Sequence, residues 1–87
     1  MTRDEILSQA KTLINGQRED DYGSAEKNFS NIAAGWSVIL GKEVTAHDGA
    51  LCMIWLKVAR MVNGPHDDSY IDIAGYAALG GEIGNAS

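Results

Sequence analysis

The sequence predicts an all-α fold, a compact four-helix domain. Three observations carry that prediction. Apolar residues recur at three- and four-residue spacings rather than alternating, there is a single proline, Pro65, and Ser or Thr precedes several of the apolar-periodic stretches.

The first helix is expected from about Arg3 to Asn15. Thr2 with Glu5 three residues on has the form of a capping box, and Ile6, Leu7, Ala10, Leu13 and Ile14 share a helical face. "EDDYGS" reads as a loop in which Ser24 caps the next helix. That second helix, about Ala25 to Leu40, carries Phe29, Ile32, Ala33, Trp36, Ile39 and Leu40 and is stopped by Gly41. Thr45 and Asp48 repeat the capping pattern before a third helix, about Ala46 to Val62. Its stretch Ala50–Leu56 is wholly apolar, which predicts a central helix with neighbours on several sides and a buried Cys52. Asn63-Gly64-Pro65 ends it. Asp67 or Asp68 then caps a fourth helix to about Leu79. Ala74, Gly75, Ala77 and Ala78 give that helix a small face, suited to close packing within the chain or between subunits. Residues 1–80 are read as one helical domain and 81–87 as a flexible C-terminal tail.

The chain has 87 residues and a net charge of −5. The acidic balance argues against direct binding to nucleic acid, whose phosphates attract a basic surface. No apolar run approaches the roughly 20 residues of a membrane span. No signal peptide is visible, and the lone Cys52 excludes a disulfide within one chain, so the expected setting is the cytoplasm. A domain this small often gains stability from a partner subunit, and a symmetric homodimer is expected.

Lys57 and Arg60 are cations in the most apolar part of the chain. They lie three residues apart and share a helical face. The turn at Asn63–Pro65 folds the third and fourth helices back side by side, which sets Asp72 at a similar height. Asp72 therefore meets Lys57, Arg60 or both. Two readings stay open. One is an ion-pair network that fixes helix register; the other is a pocket for phosphate or carboxylate.

The pattern of Arg18, Asp21, Tyr22, Gly23, Asn28, Phe29, Ile32, Ala33 and Trp36 resembles a family of small phage and prophage proteins known as a domain of unknown function. Asp48, Ala50, Leu51, Met53, Leu56, Lys57, Ala59 and Arg60 continue the likeness, and Asp68, Asp72, Ala74, Gly75 and Tyr76 complete it. The resemblance implies a phage protein at work in the bacterial host cytoplasm. A weaker likeness reaches the nucleotide-modification-associated phage domain and the MazG-type all-α nucleoside triphosphate pyrophosphohydrolases. The latter hold magnesium on helices rich in paired acids; this chain departs from that pattern, its nearest set being Asp67, Asp68 and Asp72.

With that resemblance, one expectation is a phage accessory protein that binds a nucleotide or other phosphorylated metabolite. Lys57 and Arg60 would hold phosphate, Asp72 would orient them, and Asp21, Tyr22 and Asn28 would contact base or sugar. Were the chain an enzyme, it would be a magnesium-assisted pyrophosphohydrolase with Asp68 and Asp72 as ligands. The alternative is a non-enzymatic protein that modulates a host or phage protein through an acidic helical surface. His47 and His66 each precede an Asp near a helix start, where capping and surface roles prevail. Ser24, Ser30 and Ser37 lack any sequence sign of a nucleophilic triad. Tyr22, Trp36, Trp55, Tyr70 and Tyr76 are expected in the core or in an interface.

Overall fold

The computed structural model describes residues 1–17 and 24–86. Its helices are α1 (Arg3–Thr12), α2 (Ala25–Leu40), α3 (Ala46–Ala59) and α4 (Asp67–Ala86). A π-helical turn, Leu13–Gln17, follows α1. No strand occurs among the described residues, and the chain is an all-α, four-helix domain.

The predicted caps set most helix starts. The Thr2 hydroxyl accepts from the Glu5 N–H at 3.1 Å, and the Glu5 carboxylate accepts from the Thr2 N–H at 3.1 Å. Thr45 and Asp48 make the same reciprocal pair, also at 3.1 Å. Ser24 accepts from the Lys27 N–H at 3.2 Å. Gly41 ends α2 at φ 68°, a left-handed conformation that glycine adopts without a Cβ clash. The start of α4 differs from expectation. Asp67 and Asp68 lie inside its first turn, and His66 is the cap: its Nδ1 accepts from the Ser69 N–H at 3.3 Å and lies 3.1 Å from the Ser69 hydroxyl.

Three helix ends also differ. Helix α1 passes into the π turn after Thr12, whose hydroxyl donates back to the Ser8 carbonyl at 3.1 Å. Helix α3 stops at Ala59, three residues early, with Arg60 as its cap. Helix α4 runs past Leu79 to Ala86, through the stretch read as a tail. Packing explains that continuation. A Cβ on Gly80 would lie 3.0 Å from the Ala50 Cβ, and one on Gly84 3.0 Å from the His47 ring, so this glycine-rich segment is pressed against α3.

Those contacts, with Lys57 opposite Asp72, make α3 and α4 antiparallel neighbours. Helix α1 runs alongside α4 in the same direction. The Met1 amine is 3.8 Å from the Asp67 carboxylate at one end, and Ile14 meets Gly75 further along. Helix α2 brings Phe29 over Gly49 and edge-on to Tyr76, with ring centroids 5.9 Å apart. Phe29, Ala50 and Leu79 are the centre of the core, packed by Ile14, Ala25, Ile32, Ala46, Met53, Tyr76 and Ile83.

The expectation that α3 is enclosed on all sides is overturned. Gly49 and Ala50 are buried, but Leu51, Cys52, Trp55, Leu56 and Val58 are exposed. Cys52, expected inside, is on the surface. Among the described residues, two helices, α2 and α4, pack on α3, and they leave these side chains uncovered. The small face of α4 is likewise relocated: Gly75 is buried against Ile14 of the π turn, Ala77 and Ala78 are exposed, and the close approach to α3 is made by Gly80 and Gly84.

Candidate functional site

Lys57 stands in the last turn of α3, where a cation is favoured by the helix dipole. The antiparallel pairing brings Asp72 of α4 across from it. Nζ and Oδ2 are 3.0 Å apart, with side chains 14% and 28% exposed. The apolar segment thus holds a cation because a carboxylate from the next helix neutralises it at the edge of the core. Arg60 is placed differently. It is the exposed cap residue of α3, its backbone N–H bonded to the Leu56 carbonyl at 3.2 Å. Arg60 keeps helical backbone angles, φ −66° and ψ −16°, but its side chain is exposed where that of Lys57 is half-buried. Among the described ion pairs, the partner of Asp72 is Lys57.

Asn28 is half-buried in the first turn of α2. Asp21 and Tyr22, the other residues proposed to contact base or sugar, lie outside the described residues. Asp68 and Asp72 share one wall of an open groove of about 510 Å³ between α1 and α4. Ser8, Gln9, Thr12, Leu13 and Ile71 complete its lining. Hydroxyls, an amide and two carboxylates suit a cation, or a hydroxyl-bearing ligand, better than a bare anion. Among the described residues, no three His, Cys, Asp or Glu side chains converge as a metal-ligand group. His66 is engaged as the α4 cap, and His47 packs on Gly84.

A second surface escaped the sequence reading. Trp36, Ile39, Leu40 and Cys52 line an almost wholly apolar hollow of about 350 Å³ between α2 and α3. Beside it on α3, Trp55 is 72% exposed, with Leu51 and Leu56 about half exposed. The signal was present in the unbroken apolar run of α3, which has more apolar faces than this small domain has helices to cover. Among the described residues, no helix is long and apolar enough to cross a membrane.

No solved structure matches the chain. It is 50% identical over 76 residues to the Gene 55 protein of Mycobacterium phage L5, a match covering 85% of this chain and 49% of that protein. It is 45% identical over 73 residues to the Gene 55 protein of Mycobacterium phage D29, covering 83% of this chain and 48% of that protein. The chain therefore spans about half the length of these relatives. Residues 5–84 match the family model described as "Domain of unknown function (DUF6378)", and the chain belongs to that family.

Proposed function

We propose that this domain of a phage accessory protein is a binding module, and that it acts through the apolar face of α2 and α3 in the host cytoplasm. The observation that carries the reading is the exposure of Trp55, Ile39, Leu40 and Leu51 together on one side of a small acidic chain. Exposed apolar patches of this kind mark interaction sites, and aromatic residues dominate binding energy where they are buried by a partner. The binding surface is thus apolar rather than the acidic one expected from net charge. The test compares tagged wild-type chain with an Ile39→Glu/Trp55→Glu variant, both isolated from phage-infected cells. The wild type migrates in an assembly that the variant loses; equal hydrodynamic masses would reject the reading.

A nucleotide-binding reading is supported by the groove beside the Lys57–Asp72 pair. Asp68 and Asp72 would hold magnesium, which would carry the phosphates, while Ser8, Gln9 and Thr12 offer partners to sugar or base. Lys57 would assist only by giving up part of its bond to Asp72, and Arg60 would have to swing in from the surface. Thermal melts over a nucleotide series, with and without magnesium, decide this reading, because a ligand bound to the native state raises Tm. A magnesium-dependent rise that Asp68→Ala abolishes supports it. No rise with any nucleotide discards it, and released pyrophosphate would make the domain an enzyme.

A further inference from the structure

We infer that the apolar face of α2 and α3 is covered by a second copy of this chain, in a two-fold dimer that lays α3 against its counterpart; this rests on the binding-module reading and names the partner. On α3, Leu51, Trp55 and Val58 recur at spacings of four and three, and Val62 continues the line in the turn that follows. They are 50, 72, 40 and 81% exposed. A line of apolar residues at this spacing is the seam that one helix presents to another helix. Ile39 and Leu40 widen it on one flank around the hollow at Cys52.

Area points the same way. Together these side chains expose on the order of 800 Å², the share each partner contributes to a stable complex. That exceeds the roughly 300–600 Å² of the largest apolar patch on an ordinary monomer. Charge does not oppose the pairing. The chain carries −5, but no charged side chain occurs from Gly49 to Leu56, so the stretch around Leu51 and Trp55 is uncharged; Asp48 precedes it, and the exposed Arg60 lies between Val58 and Val62. The shape agrees too. A Cα radius of gyration of 13.4 Å exceeds the about 12 Å expected of a fully compact chain of this length, as befits helices spread out with a face left open. A helix seam is self-complementary across a two-fold axis, the commonest symmetry of protein oligomers.

The test is sedimentation equilibrium of the purified chain alone. The expected mass is twice 9.3 kDa at about 100 µM, where a dimer of micromolar Kd is essentially complete, falling toward 9.3 kDa on dilution. Trp55→Glu should weaken the association at least about 30-fold, as loss of an aromatic hot spot does, while leaving helical circular dichroism unchanged because the side chain is exposed in the single chain. Ile39→Glu, on the other helix of the face, should do the same. The Cys52 thiol should react more slowly with a thiol reagent as the protein is concentrated. A single-chain mass at about 100 µM overturns the inference. So does a dimer that both substitutions leave intact. A chain that is single when pure, yet enters an assembly in infected cells that Ile39→Glu/Trp55→Glu abolishes, refutes the second copy and leaves the binding-module reading standing.

Discussion

At Gly80 the space for a side chain is already taken, and by an atom that has nowhere to go. A Cβ there would meet the Ala50 Cβ at 3.0 Å, and alanine has no rotamer to change. At Gly84 the obstacle, also at 3.0 Å, is the His47 ring, which can turn aside. Nothing lies within 4 Å of a Cβ on Gly81. Helix propensity alone favours alanine over glycine by about 1 kcal/mol at each position. Gly81→Ala is therefore expected to raise stability by up to that amount, Gly84→Ala to sit near zero, and Gly80→Ala to lose about 1–3 kcal/mol through overpacking. Urea titrations of the three variants check the order; a Gly80→Ala as stable as Gly81→Ala would show that α3 and α4 are not in close contact. The Lys57–Asp72 pair gives an equally directional expectation. Lys57 is the more buried member, so Asp72→Ala strands a cation at the core edge and should cost about 1–3 kcal/mol. Lys57→Met leaves the more exposed carboxylate to water and should cost under about 1 kcal/mol. Equal losses from both would place the pair in open solvent.

Individual helices begin where short-range chemistry says they should. A capping box links residues three apart, so Thr2 with Glu5 and Thr45 with Asp48 were legible without knowing the tertiary structure. The His66 cap was not, because an imidazole caps only when its ring is turned toward Ser69, and composition does not reveal that turn. The extension of α4 was equally hidden, since a segment with glycines at 80, 81 and 84 favours helix only once α3 lies against Gly80 and Gly84. The two legible boxes have a consequence for pH. The Thr2 backbone and hydroxyl hold the Glu5 carboxyl below its ordinary pKa of 4.5, and the Thr45 backbone and hydroxyl hold Asp48 below its ordinary 3.8. A carboxyl whose folded-state pKa is depressed stabilises the fold fully above its unfolded pKa, and that contribution is lost as pH falls through the folded value. Tm should therefore drop as pH is lowered from about 5 toward 3. A Glu5→Gln/Asp48→Asn variant, which keeps an acceptor for each N–H but cannot titrate, should show a shallower fall in Tm from about pH 5 to pH 3; a fall as steep as the wild type's would mean that the boxes do not carry the acid sensitivity.

Across the molecule, the sequence reading succeeded where a connection is short and misled where burial had to be apportioned among helices. The Asn63–Pro65 turn leaves α3 and α4 little choice but to fold back, and that brought Lys57 to Asp72. The apolar run of α3 was instead read as enclosure, although the helices of the described residues cover only one side of it. Hydrophobicity says that a residue seeks cover; it does not say whether the cover belongs to the same chain. Phe29 and Trp55 separate these cases. Phe29 is fully buried among α2, α3 and α4, and it is the largest side chain so enclosed among the described residues. Its removal opens a cavity where those helices meet. Phe29→Ala should cost about 3–5 kcal/mol, a large share of the roughly 5–15 kcal/mol that holds a domain together. Trp55 is the larger aromatic, yet its exposed ring makes little contact within the chain, so Trp55→Ala should change the stability of the single chain by no more than about 0.5 kcal/mol. Measured in dilute solution, where association is lost, Phe29→Ala should melt roughly 15–30 °C below the wild type and Trp55→Ala within a few degrees of it. Raising the concentration should restore a gap between wild type and Trp55→Ala, because only the wild type then gains cover for that ring. Were Trp55→Ala as damaging as Phe29→Ala at every concentration, the tryptophan would have to pack inside its own chain, and α3 would have no open face to offer.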